Sequence, residues 1–253
     1  MTATNYPAHP SFSETAHRPW PLPAGPWSWR QSWCDLLFAH WPVPAAALRP
    51  LVPPALEVQA FEGTSWIAVV PFRMEGVMLR PLPDLPGVSA FPEINVRVYV
   101  TDGEKPGVWF LSLDASNPIA VATARTFFHL PYYLAQMNLN EEGDHFRYRS
   151  HRSRSAVALE GTYGPTSSVY RATPGTLEQW LTERYCLYAQ APGGTIYRTE
   201  VHHAPWPLQQ ATAAFEVNTM LAPHDLPVSG PPALLHFARR IDVAVWSPQR
   251  VGA

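Results

Sequence analysis

Proline occurs 29 times in 253 residues, and no other feature limits the fold as much. A proline lacks a backbone N–H and clashes with the preceding helical turn, so any helix in this chain must be short. Between the prolines lie runs rich in Val, Ile, Phe, Tyr and Trp, broken by Gly, Asp and Asn. That is the pattern of many short strands joined by stiff loops. Hydrophobic residues make up 46% of the chain and charged residues 15%, enough for a substantial core under a sparsely charged surface. The fold class expected is mainly β with a few short helices.

The densest set of polar candidates falls in residues 91–133. FPEINVRVYV, at 91–100, alternates strictly. On a strand Glu93, Asn95, Arg97 and Tyr99 therefore share one face, and Ile94, Val96, Val98 and Val100 share the other. The β-branched face belongs against a core. The polar face either meets water or lines a barrel interior around a ligand. A turn at 101–107 (TDGEKPG) leads to a return strand at 108–115. Loop length leaves its register open, so Asp114 faces either the Glu93 side or the opposite one. Asn117-Pro118 then caps a helix over 119–128, with Arg125 in its last turns. Leu130-Pro131 ends it, and Tyr132 and Tyr133 follow.

Around this stretch, residues 1–28 form a Pro- and aromatic-rich leader expected to be partly disordered. Residues 29–250 form a single domain without repeats or a linker. Strands are expected at 33–41, 56–61, 65–74, 185–189, 195–202, 208–220 and 234–246, with an antiparallel run across 134–172. Short helices are expected at 45–51 and from 177 to about 184. Arg73 marks the rim or a pocket of the 65–74 strand, and residues 78–90 are a proline-rich connection.

Several function classes fall away. A net charge of -2 provides no field for nucleic acid or an anionic membrane. No apolar run reaches the ~18 residues that span a bilayer, and no signal peptide is visible, so a cytoplasmic protein without membrane contact is expected. Whether it self-associates stays open. Gly-rich phosphate loops, GxSxG and HExxH are absent. In Glu200-x-His202-His203 the adjacent histidines point to opposite faces, so no metal and no other cofactor is expected. His202 remains a candidate ligand contact. Lys105, the only lysine, lies in a turn between Asp102 and Glu104. Imine chemistry needs a desolvated lysine or one beside another cation, and Lys105 has the opposite surroundings.

FAHWPVP (38–44), LEVQAFEG (56–63), FPEINVRVYV (91–100), GVWFLSLDASN (107–117), EVHHAPWPLQ (200–209) and LLHFARRIDVAVW (234–246) together resemble the YqjF-like family of uncharacterised bacterial proteins. One departure is Gln59-Ala60, where the family favours an acidic residue and a threonine. The family is similar in fold to acetoacetate decarboxylase, an antiparallel cone or double β-barrel around an interior cavity. The resemblance implies that the Glu93 face looks inward and that Glu93 matches the decarboxylase's inner glutamate. Pro118, Arg125 and Pro131 occupy places similar to its active-site segment, but Tyr132 and Tyr133 stand where its lysine pair would be. The implied function is a pocket for a small oxo or carboxylic acid. Its catalytic candidates are Glu93, Arg125 and Tyr132, for lyase, hydratase or isomerase chemistry without an imine. Its contact candidates are Asn95, Arg97, Arg73, Tyr99, Asp114, Tyr133 and His202. The alternatives are a non-catalytic binding protein and an interaction module with a buried polar network.

Overall fold

A computed structural model of the protein describes residues 9–82 and 89–252. The first eight residues of the leader and the middle of the 78–90 connection lie outside the described residues. In chain order the strands are β1 (Trp29–Val43), β2 (Glu57–Val58), β3 (Ser65–Leu79), β4 (Phe91–Thr101), β5 (Pro106–Ala115), β6 (Tyr132–Glu142), β7 (His145–Arg152) and β8 (Ala158–Pro165). They continue as β9 (Cys186–Gln190), β10 (Ile196–His202), β11 (Gln209–Asn218), β12 (Leu234–Val245) and β13 (Gln249–Arg250). Three short α-helices interrupt them: α1 (Ala45–Leu48), α2 (Pro118–Phe127) and α3 (Leu177–Thr182).

One sheet of 13 strands wraps into two closed rings. The larger follows β5, β6, β7, β8, β11, β12, β1, β3 and β4, and shuts through the β4–β5 pairing. The smaller follows β10, β9, β5, β4, β3, β1 and β12, and shuts through β10–β12. Five long strands thus serve both rings, and each shows one face to each interior. This explains why β4 is buried along nearly its whole length on both sides, as β1 and β3 are over most of theirs. It also removes the solvated alternative for the polar face of β4: Glu93 is 2% exposed, Asn95 5% and Arg97 8%.

The two interiors differ. Ile94, Val96 and Val98 point into the larger ring, where they join Phe146, Tyr148, Tyr163 and Phe237 in a continuous core. The Glu93 face points into the smaller ring, among Phe38, Val70, Phe72, Leu113 and Trp206. The register settles the position of Asp114: it pairs with Ile94, and Ala115 pairs with Glu93. Residues directly opposite share a face, so Asp114 lies on the larger-ring side.

α2 forms where the sequence places it. The Asn117 side chain accepts from the amides of Ile119 (2.9 Å) and Ala120 (3.1 Å), and Pro118 occupies the first turn. The helix stops at Phe128; His129 takes a positive φ of 54° ahead of Leu130-Pro131. The chain then returns as β6, which runs parallel to β5 with Leu113 opposite Tyr132. This βαβ crossover lays α2 across one end of the smaller ring.

Residues 9–28 fold onto the barrel. The Arg18 guanidinium donates to the Val201 carbonyl (2.6 Å) and to Glu200 Oε2 (3.0 Å), and Trp20 Nε1 donates to the same carboxylate (2.8 Å). The ion pair and the aromatic anchor hold a segment whose composition by itself favours disorder.

Candidate functional site

The smaller ring keeps a cavity of about 420 Å³ between its strands and α2. Its walls are mostly apolar. Val70, Phe72 and Met74 of β3, Phe110 and Leu113 of β5, and Val201 of β10 contribute side chains. One row of polar groups crosses it: Glu93, Asn95 and Arg97 of β4. Successive members lie about 7 Å apart along the strand. Phe91, on the same face, continues the row toward the open end. Tyr132 and Thr199 add hydroxyls.

Glu93 is buried on the cavity wall and held by two tyrosines. Tyr132 Oη donates to Glu93 Oε2 at 2.8 Å, and Tyr148 Oη, from the larger ring, donates to the Glu93 carbonyl at 2.7 Å. Burial pushes the carboxyl up to about 8; Asp114 adds to the rise, and the Tyr132 hydrogen bond opposes it. Near neutral pH the group holds its proton in most molecules, yet can release it within the working range of a general acid or base. Burial above all, and Glu93 beside it when ionised, hold the Tyr132 phenol well above its ordinary value, so Tyr132 acts as a donor.

At the other end of the row stands Arg97. Its guanidinium carbon lies 5.1 Å from the ring centre of Phe38 and 5.9 Å from that of Tyr99. Nε and Nη2 have no hydrogen-bond partner among the described residues, nor does Asn95 Oδ1. A cation this deep is expected to be paired. An aromatic face offers attraction but leaves the in-plane N–H groups unused. The unused donors are the fork that binds a carboxylate with two parallel hydrogen bonds.

The other expected contacts lie elsewhere, each for a physical reason. Arg125 is exposed: α2 turns Ala120, Ala124 and Phe127 toward the cavity at helical spacing, and Arg125 falls outside that stripe. Asp114 is bound by Arg152, whose Nε reaches its two oxygens at 3.0 and 3.1 Å. Tyr133 alternates outward from Tyr132 and lies over the Arg152 guanidinium at 4.0 Å. Arg73 faces away from Phe72 and Met74 and pairs with Asp35 at 2.8 Å and with Glu75. Tyr99 is buried past the end of the cavity, its hydroxyl 2.7 Å from His40 Nε2. His202 stands 2.8 Å from the Ser11 carbonyl through Nε2 and receives Arg18 at Nδ1 (3.4 Å), while burial pulls its pKa down to about 4. It is a neutral structural histidine.

Sequence reasoning missed the walls. The i, i+4, i+7 spacing of Ala120, Ala124 and Phe127 is visible in the chain, but nothing local says what that stripe faces. Among the described residues no cluster of three or more His, Cys, Asp or Glu side chains could hold a metal. Lys105, the sole lysine, engages Glu200 and lies over Trp20 at 5.2 Å, far from the polar row in its contacts.

This double ring around an inner cavity is the acetoacetate decarboxylase-like fold. Acetoacetate decarboxylase from Legionella pneumophila superposes with a TM-score of 0.63 at 16% identity, covering 100% of this chain and 98% of that one. The enduracididine biosynthesis enzyme MppR superposes at 0.65 with 13% identity, covering 90% and 88%. At such identities the likeness is one of fold. The family is fixed by sequence: the model for DUF2071, an uncharacterized conserved protein, matches residues 30–242, and the chain belongs to that family. The uncharacterized protein YqjF of Bacillus subtilis strain 168 is 44% identical over 226 residues, covering 89% of this chain and 93% of that protein.

Proposed function

We propose that the cavity of the smaller ring binds a small oxo or carboxylic acid, and that Glu93 serves as general acid–base on it, with Arg97 holding the carboxylate. The observation that carries the reading is the pair of buried Arg97 donors, Nε and Nη2, without a partner among the described residues, on the same cavity wall as a carboxyl poised near neutrality. Tyr132 keeps the Glu93 carboxyl oriented. Asn95 stands between the two and offers an amide to a carbonyl or hydroxyl of the bound acid. MppR, which shares the fold, has been solved in complex with pyruvate, an oxo acid. The chemistry that fits is proton removal beside a carbonyl and its return at the same or a neighbouring atom, as in isomerases, hydratases and lyases. No lysine borders the cavity among the described residues, so no imine enters the scheme.

The test is solvent exchange. In D2O, a bound oxo acid whose carbonyl stands several carbons from its carboxylate should exchange the hydrogens beside that carbonyl faster than in buffer, read by proton NMR. Glu93→Gln should slow that exchange by roughly 10²–10⁴-fold, the usual contribution of a general base, while the acid still binds. Binding without exchange in the wild type would instead establish a ligand-binding protein. The hydrogen bond that already occupies Glu93 on Tyr132 favours that second reading.

A further inference from the structure

The cavity's size, charge and direction say more about what it takes. This step rests on Arg97 receiving a carboxylate. An apolar cavity of about 150 Å³ is filled by benzene, and the present one measures about 420 Å³. It therefore has room for roughly three times as many heavy atoms, many more than a three- or four-carbon oxo acid supplies. Among the described lining residues Arg97 is the one cation and Glu93 the one acid. A second carboxylate on the ligand would meet apolar wall and go unpaired, which is costly.

The polarity also has a direction. Asn95 and Arg97 lie farthest along β4 from α2, and Phe91 lies nearest the open end. At that open end the side chains are apolar and half out in water: Ile119 is 60% exposed, Phe127 66% and Leu82 52%. Met74 and Met78 line the passage between mouth and floor, and unbranched thioethers adapt to chains of varied shape.

From this geometry we infer that the ligand is a lipophilic monocarboxylic acid with an aliphatic or arylaliphatic body of roughly ten or more carbons. It lies carboxylate-inward on Arg97, with its tail between α2 and the end of β3. A chain in that pose passes Asn95 and then Glu93, so any oxo or hydroxy group that Glu93 serves sits some way down the chain from the carboxylate.

The experiment is calorimetric titration of the full chain with acetate, hexanoate, decanoate and hexadecanoate, and with decanol and pyruvate. Affinity should tighten roughly fourfold per methylene as the chain lengthens, and then stop improving once the cavity is full, between decanoate and hexadecanoate. Decanol should bind at least tenfold more weakly than decanoate. Arg97→Met should erase that difference and leave decanol unaffected. A flat series in which pyruvate binds as tightly as decanoate overturns this inference and leaves the carboxylate reading standing. Decanol binding as tightly as decanoate to the wild type overturns both. So does a protein that binds none of the panel; neither result requires a variant to fold.

Discussion

A buried donor left without a hydrogen bond costs about 1–3 kcal/mol, and Arg97 keeps two such guanidinium donors without a partner among the described residues. Selection for stability alone favours an apolar side chain there. Arg97→Met should therefore leave the unliganded protein as stable as the wild type, or more stable by about 1–4 kcal/mol, in urea unfolding. The same variant should lose carboxylate binding. A loss of stability of that size would mean that Arg97 serves the fold. Asp114 makes the opposite case with the same chemistry. It is fully buried, but Arg152 contacts both its oxygens. Asp114→Ala strands the Arg152 cation and should cost about 3–5 kcal/mol in the same experiment. Each residue is a buried charge on a strand that serves both rings, Arg97 on β4 and Asp114 on β5, and the presence of a partner separates a binding group from a structural one.

At the scale of elements, α2 joins fold to site, because it is both the crossover between β5 and β6 and one wall of the cavity. Asn117→Ala removes the cap and should destabilise the protein by about 1 kcal/mol in thermal or chemical unfolding. Because that wall loosens, ligand affinity should fall as well, whereas a cap serving only the helix would leave it unchanged. α2 was legible in the chain because its signals are local: Asn117-Pro118 opens it and Leu130-Pro131 closes it. β4 was legible through its alternation, which correctly grouped Glu93, Asn95 and Arg97. Arg125 was not, because it was assigned to the site from a resemblance, and the face a helix buries depends on what packs against it. Asp114 turned on the register of a hairpin with a shift between Val96 and Arg97, which no composition reports. The parallel β5–β6 pairing and the Arg18–Glu200 contact join residues distant in sequence, and alternation within one strand is silent about both.

For the molecule as a whole, the buried titratable groups set the pH dependence of folding, and their signs differ. His202 and His203 are pulled down to about 4 by burial. Between pH 4 and 6.5 the unfolded chain binds protons that the folded form excludes, so stability falls as pH drops through that window. Glu93 works the other way. Its carboxyl titrates at about 8 when folded, against an ordinary 4.5. Between those values the folded form holds a proton that the unfolded chain has released, so stability declines as pH rises and levels off above about 8. A gap of this size corresponds to on the order of 5 kcal/mol. Glu93→Gln abolishes this contribution and keeps those of the histidines, so subtracting one unfolding profile from the other isolates the group. The variant should gain on the wild type steadily from pH 4.5 to 8, and not beyond. A bound carboxylate near the row disfavours ionised Glu93, so affinity for decanoate should weaken as pH rises through 8 in the wild type and stay level in Glu93→Gln. Parallel unfolding profiles for the two proteins would place Glu93 in contact with water and remove the acid–base role with it.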